Sequence, residues 1–443
     1  MAPAPDRVLP QAITWVACYA APGQAPPLLA RTLRPTLGRW PVLRISREVR
    51  GGNVLKNVLL AIGSVVVALI AFELLLSARP DLLADNASPK FVFCQGDTQR
   101  YRQDAVFRKA EIPGSIYFEN NGEGWSIHLN NERGFRDIFD SGDQHAIILG
   151  DSFTRGTSVN DHQTIPYLLD LWHPDVAFHS FATGGSGTAD AYRAYQAIAP
   201  DWDHRLVILN YFLGNDLRNN LAGSVIVEGA DEGAVRLGEV QMASAPKRLL
   251  TRYHRLMRAN SHVYNLTYTS AKIMGSGRKG DQLPPDQLAR GAEITSALLL
   301  SLGREAAKHD ADLLVVIIPS WNEIMERGAE DDPDLQRRII DQVAGELENV
   351  FVFDLTDDIK ALGARSVYGQ VDKHFNPLGA YRAAKATYEW MHRDWPRGTQ
   401  TNRAAPAFDD DRWGVERPDC DFVDEYRERL LNPAATMHLS HAQ

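Results

Sequence analysis

The stretch "HAIILGDSFTRG", residues 145–156, decides how this chain is to be read. His145 to Leu149 form a short apolar run, Gly150 permits a tight turn, and Ser152 opens the segment that follows. An apolar strand that ends on a small residue and hands over to a helix is the repeating unit of a parallel sheet covered on both faces. The same alternation recurs along the chain. Apolar, β-rich runs at 145–149, 175–181, 205–210, 312–318 and 350–355 are separated or followed by helical patterns at 163–172, 188–199, 286–309, 333–347 and 377–392. The pattern predicts a three-layer α/β/α domain with a parallel sheet over residues 144–395. Residues 222–245 read as a β-hairpin inserted into it, and 274–285 as a loop rich in glycine and proline.

Ligands of such sheets bind beyond the carboxyl ends of the strands, so the residues after each strand are where chemistry is sought. After the first come Gly150, Asp151 and Ser152. After the second comes "ATGGSGTAD", residues 182–190, whose glycines allow a ligand close to backbone N–H groups. The third ends in "NYFLGNDLRNN", residues 210–220, with Asn215 and Asp216 behind Gly214. After the last stands "VDKHFNPLGAYRAAKATYEWM", residues 371–391, in which Asn376 reads as an N-cap and Pro377 as the first helical residue. Asp372 and His374 therefore sit in the loop before a helix. Residues two apart do not face each other within a helix, but in an irregular loop they can.

Singly, each feature has an ordinary reading. Gly-Asp-Ser and Gly-Asn-Asp serve as plain turns, the glycine run lacks the Lys-Ser/Thr of a phosphate loop, and His374 is one of 13 histidines. Together they supply what a serine nucleophile needs. Histidine titrates in the range required of a general base, and a carboxylate fixes its tautomer. The N–H of Ser152, the N–H of Gly185 and the amide of Asn215 are candidate donors to an oxyanion.

These blocks resemble those of the GDSL-type, or SGNH, hydrolase superfamily. "ILGDSFTRG" looks like the first block, "GGSGT" the second, "GND" the third and "DKHFNPLG" the fifth. The resemblance implies a flavodoxin-like fold, Ser152 as nucleophile, Asp372 and His374 as its partners, and an oxyanion hole from Ser152, Gly185 and Asn215. "NNERGFRD", residues 130–137, is similar to a segment found upstream in membrane-anchored bacterial members, as is Glu73 near the end of the apolar run 57–78. Two departures stand out: Ser180-Phe181-Ala182 replaces a frequent Asn near the second strand end, and one residue rather than two separates Asp372 from His374. The implied activity is that of an esterase on O-acyl groups, without metal or organic cofactor. An O-acetyltransferase using the same triad and a non-catalytic glycan-binding envelope protein are the alternatives.

Residues 57–78, "NVLLAIGSVVVALIAFELLLSA", carry a single charge, Glu73. A helix of that length covers roughly 30 Å, the thickness of a bilayer core. Residues 1–56 hold eight Lys/Arg and two acidic residues, a net +6, so the chain beyond carries −15. The positive-inside rule then places the N-terminus in the cytoplasm and residues 79–443 outside it; the resemblance to bacterial members implies that the membrane is a bacterial inner membrane. The acidic main body argues against nucleic acid as a partner. An ester substrate, such as an acylated envelope glycan or a lipid, is the expected partner. The segment 1–56 reads as a basic cytoplasmic leader or, alternatively, as sequence upstream of a start near Val54. Residues 79–143 form an extension ahead of the sheet, and 396–443 a polar tail expected to wrap the surface. Among the three cysteines, Cys94 and Cys420 flank the main body in an oxidising compartment; a disulfide between them and two free buried thiols are both open. No Cys/His spacing resembles a zinc site.

Overall fold

The computed structural model describes residues 51–79, 90–96, 100–104, 106–122, 124–137, 143–173, 175–223, 225–228, 234–239, 244–275, 282–328, 331–398, 405, 408 and 418–431. Most of the basic leader, the turn of the 222–245 hairpin, the centre of the 274–285 loop and most of the tail fall outside them. The chain divides into two compact units, Met1–Ala61 and Ile62–Gln443. Of the first, the described residues are the opening turns of helix α1 (Gly51–Ala78). Within α1, Leu55–Ala78 is long and apolar enough to cross a membrane, and none of its most apolar window is buried in the protein.

Five short strands precede the main sheet: β1 (Phe91–Gln95), β2 (Tyr101–Asp104), β3 (Arg108–Glu111), β4 (Ile116–Asn120) and β5 (Trp125–Leu129). β1, β4 and β5 form one antiparallel sheet, and β2 pairs with β3 as a hairpin. Then come β6 (Gln144–Gly150), α2 (Ser152–Arg155), α3 (Ile165–Trp172), β7 (Val176–Ser180), α4 (Thr188–Ile198), β8 (His204–Phe212) and α5 (Asp216–Leu221). The inserted hairpin is β9 (Val225–Glu228) against β10 (Ala234–Leu237), and two helices follow it, α6 (Ala245–Asn260) and α7 (His262–Gly275). The domain closes with α8 (Pro285–Lys308), β11 (Asp312–Ile318), α9 (Trp321–Ile324), α10 (Pro333–Glu346), β12 (Val350–Asp354), α11 (Thr356–Leu362), α12 (Ala364–Val367) and α13 (Pro377–Arg393); α14 (Val423–Leu431) lies in the tail.

The central sheet has the order β12-β11-β8-β6-β7, and every pair in it is parallel. Its strands are apolar throughout because successive side chains enter opposite cores. On β11, Leu313, Val315 and Ile317 point into the core with α4, α8 and α10, while Leu314, Val316 and Ile318 enter the one with α3, α11 and α13. Each such aliphatic side chain contributes roughly 1.5–3 kcal/mol when fully buried. This is the predicted three-layer α/β/α architecture, with element ends within a few residues of those read from the sequence. The extension was not resolved into strands by that reading. Its sheet builds a third core of Ile116, Phe118, Ile127 and Leu129 with Tyr167 of α3 and Val423, Tyr426 and Leu430 of α14. Cys94 and Cys420 are joined in a disulfide, so the open choice resolves to the pair.

Candidate active site

β6 lies between β7 and β8, and the chain leaves it first for one neighbour and then for the other; such a switch point is where a parallel sheet offers a crevice at its carboxyl edge. Gly150 ends β6 at φ +155°, and a Cβ there would come 2.2 Å from Thr154 Oγ1 and 3.1 Å from the Asn210 carbonyl oxygen. Only glycine fits. The turn it permits makes Asp151 the N-cap of α2, its carboxylate accepting from the Phe153 N–H at 2.9 Å. Ser152 is then the first residue of α2, 8% exposed at the sheet edge.

His374 comes from the loop between α12 and α13. Asn376 caps α13 by accepting from the Gly379 N–H at 3.0 Å, with Pro377 in the first turn, which sets where the loop ends. His374 Nε2 lies 2.7 Å from Ser152 Oγ, and its Nδ1 lies 3.2 Å from Asp372 Oδ2. Asp372 Oδ1 also accepts the His374 backbone N–H at 3.1 Å, and the Ser158 hydroxyl donates to Oδ2. The single intervening residue, Lys373, takes φ +64°. That left-handed turn curls the loop so that Asp372 can reach the ring two residues on. The Lys373 ammonium rests 4.0 Å from the centroid of the Trp321 ring. Burial alone would push the Asp372 carboxyl up, but the bonds from His374 and Ser158 outweigh it and hold it below its ordinary range.

The oxyanion candidates are less uniform. Asn215 occupies the N-cap position of α5 without a side-chain capping bond; instead it donates Nδ2–H to Asp151 Oδ2 at 3.1 Å, which leaves its second N–H available. Gly185 sits exposed in a turn at φ +74°. Its neighbour Gly184 faces the serine: a Cβ on Gly184 would lie 3.8 Å from Ser152 Cβ and 3.0 Å from the Tyr101 hydroxyl. Tyr101, at the start of β2, thus forms a wall of the crevice that the sequence reading did not include.

Two further residues in the quoted motifs acquire roles only in three dimensions. Arg155, 1% exposed, donates to Glu111 of β3 and to the Tyr117 hydroxyl, and lies 3.0 Å from His128 Nδ1. Arg100 shares Glu111 at 3.3 Å and bonds Glu119 at 2.9 Å. Although burial opposes ionisation, Arg155 and Arg100 hold the Glu111 carboxyl at about 2. Arg136, in "NNERGFRD", pairs with Asp161 at 2.6 Å and donates to the carbonyls of Ile127, Arg155, Gly156 and Val159 at 2.5–3.1 Å. It fixes the loop after α2 that carries Ser158, and through Ser158 the position of Asp372.

No family model matches the sequence, and no curated protein matches it. Comparison with solved structures does return matches. One is the esterase EstA from Pseudoalteromonas sp., 11% identical, with 56% of this chain and 96% of that one covered at a TM-score of 0.34. Another is an acetyl xylan esterase, AlAXEase, 14% identical, covering 55% of this chain and 98% of that one at 0.33. A third is a candidate SGNH hydrolase from Slackia heliotrinireducens, 14% identical, covering 56% and 98% at 0.30. The solved structures that this chain resembles include esterases and SGNH- or GDSL-type proteins. Among the described residues, no three His, Cys, Asp or Glu side chains gather as a metal ion would require. A cavity of about 80 Å³ beside Gln144, His173 and Arg205 lies at the amino ends of the strands, on the far side of the sheet from Ser152.

Proposed function

We propose that the chain is a membrane-anchored serine esterase that cleaves O-acyl esters. The observation that carries this reading is the continuous relay of Asp372, His374 and Ser152, with contacts of 3.2 and 2.7 Å, at the switch point of a parallel sheet. In the proposed reaction His374 Nε2 takes the Ser152 hydroxyl proton as Oγ attacks the ester carbonyl. Asp372 accepts from Nδ1–H, keeping Nε2 free to act as base and stabilising the imidazolium. The oxyanion is held by donors from the backbone N–H groups of Ser152 and Gly185 and the spare N–H of Asn215. His374 then protonates the leaving alcohol, and water activated by the same ring releases the acid and restores Ser152.

The anchor is α1, with residues 79–443 on the extracytoplasmic side, as the basic residues ahead of the segment direct. The disulfide between Cys94 and Cys420 supports an oxidising compartment. The substrate class that fits this setting is an O-acylated envelope polysaccharide or a lipid ester. The test is hydrolysis of p-nitrophenyl acetate by the full chain in detergent, wild type beside Ser152→Ala, with fluorophosphonate labelling. Loss of at least about 10⁴-fold in kcat, with label on Ser152 in the wild type alone, is the expected result. Equal rates, or a wild type that resists the label, overturn the reading.

A further inference from the structure

Helix α6 is amphipathic in the reverse of the usual sense. A surface helix normally turns its apolar stripe to the core and its charges to water. On α6, Leu249, Leu250, Tyr253 and Leu256 recur at the spacing of one helical face and are 70%, 67%, 53% and 49% exposed. Residues of the basic face are the ones held by the protein. Arg255 donates to the Tyr101 carbonyl at 3.2 Å, Arg258 stacks 4.5 Å from the Tyr268 ring centroid, and the Arg258 carbonyl accepts from the Lys90 N–H at 2.9 Å. Lys247, Arg248 and Arg252 remain exposed beside the stripe. No side chain of α6 is buried, and among the described residues nothing covers the stripe.

The position of α6 indicates what covers it. Its C-cap, Ser261, is bonded to the apolar helix: the Ser261 hydroxyl donates to Glu73 Oε2 at 2.7 Å. Glu73 also accepts the His262 N–H at 2.7 Å and the Val263 N–H at 3.0 Å, so it caps the start of α7. Glu73 lies in the last turns of α1, five residues before its end at Ala78. If α1 spans a bilayer, this places the end of α6 at the level where that span leaves the hydrocarbon.

We infer that α6 lies in the plane of the membrane interface, with Leu249, Leu250, Tyr253 and Leu256 among the acyl chains and Lys247, Arg248 and Arg252 at the anionic headgroups of the leaflet in which α1 ends. The inference rests on the reading of α1 as a span. Apolar exposure, flanking basic charge, the exposed Tyr253 and continuity with the membrane segment through Glu73 all fit this one occupant. It also sets the crevice close to the bilayer, since Arg255 joins α6 to Tyr101, which forms a wall of the crevice.

The experiment uses the full chain with Cys18→Ser, leaving Cys94 and Cys420 paired, and one added cysteine at a time: Leu250→Cys on the stripe, Val66→Cys in α1 and Glu348→Cys on the main body. Each is labelled with an environment-sensitive fluorophore in nanodiscs of phosphatidylethanolamine and phosphatidylglycerol, with and without spin-labelled lipid. The inference predicts a blue shift at 250 and loss of more than half its emission to a shallow lipid quencher, stronger deep quenching at 66, and no change at 348. Quenching at 66 with a water-exposed label at 250 overturns the inference and leaves the span intact. A blue shift at 250 that is insensitive to lipid quencher and lost on dilution assigns the stripe to a second copy of the chain, and also overturns it. Absence of quenching at 66 removes the span reading and the inference together. Circular dichroism matching wild type establishes folding in each case.

Discussion

At the scale of single residues, Lys373 explains how one intervening residue suffices between Asp372 and His374. A side chain with a Cβ at φ +64° costs about 1–2 kcal/mol relative to the right-handed region. Glycine pays no such penalty, so Lys373→Gly is expected to keep kcat within a few-fold of wild type, although it loses the ammonium's contact with Trp321 and its bond to the Gln370 carbonyl. Lys373→Val, β-branched in the same conformation, should lower kcat far more than KM, because the loop relaxes and Asp372 leaves Nδ1. Steady-state kinetics on a soluble ester separate the two. Equal losses in both variants would mean that the ammonium, not the backbone turn, is what matters at this position.

At the scale of elements, the extension is fastened to the nucleophile helix by charge. Glu111 on β3 meets Arg155 at the end of α2 and Arg100 at the start of the same hairpin, all buried. Removing one partner of a buried pair leaves the others uncompensated, so Glu111→Gln should destabilise the chain by about 3–5 kcal/mol at neutral pH. The pH dependence has a definite sign. The Glu111 carboxyl is held at about 2 against an ordinary 4.5, so its contribution is fully present above 4.5 and is lost as pH falls towards 2. Urea unfolding of wild type and variant across that range is expected to show a gap that is wide at pH 7 and narrows below 4.5. A gap independent of pH would mean that the carboxylate is not the source of the stability. The wall that Tyr101 of β2 brings to Ser152 depends on this fastening, which ties the stability of the extension to the shape of the crevice.

At the scale of the whole molecule, the disulfide joins the first strand of the extension to the tail across 326 residues of sequence. It holds α14 against the sheet of β1, β4 and β5, where Tyr426 accepts the Asp161 N–H at 3.0 Å. Closing so long a loop restricts the unfolded chain, and loss of a native disulfide typically costs 2–5 kcal/mol. Cys94→Ser with Cys420→Ser should therefore lower the midpoint of unfolding, and a reductant should lower wild type to the same value while leaving the double variant unchanged. A midpoint insensitive to both would make the bond incidental to stability. The central α/β/α core is formed without it, so esterase activity at 25 °C is expected to persist in the double variant.

Local signals in the sequence determined the central sheet, the helices α3, α4, α8, α10 and α13, and the three residues of the relay. Apolar runs, caps and glycine turns act over a few residues, and β11 begins and ends where the run 312–318 does. The loop of Asp372 and His374 was legible because Asn376 and Pro377 mark the helix that must follow it. Only the tertiary structure decided what Arg100, Glu111, Arg136 and Arg155 do. Nothing within "RKAE" marks Glu111 as buried, and its burial follows from Arg155, 44 residues away. The amphipathic α6 stayed hidden because its stripe meets no core in the chain itself. The choice between a disulfide and two free thiols likewise turned on where the fold carries Cys94 and Cys420, with Cα atoms 5.3 Å apart. Periodicity and capping are short-range and written along the chain; charge pairing, wall residues and cross-links depend on long-range proximity, which only folding creates.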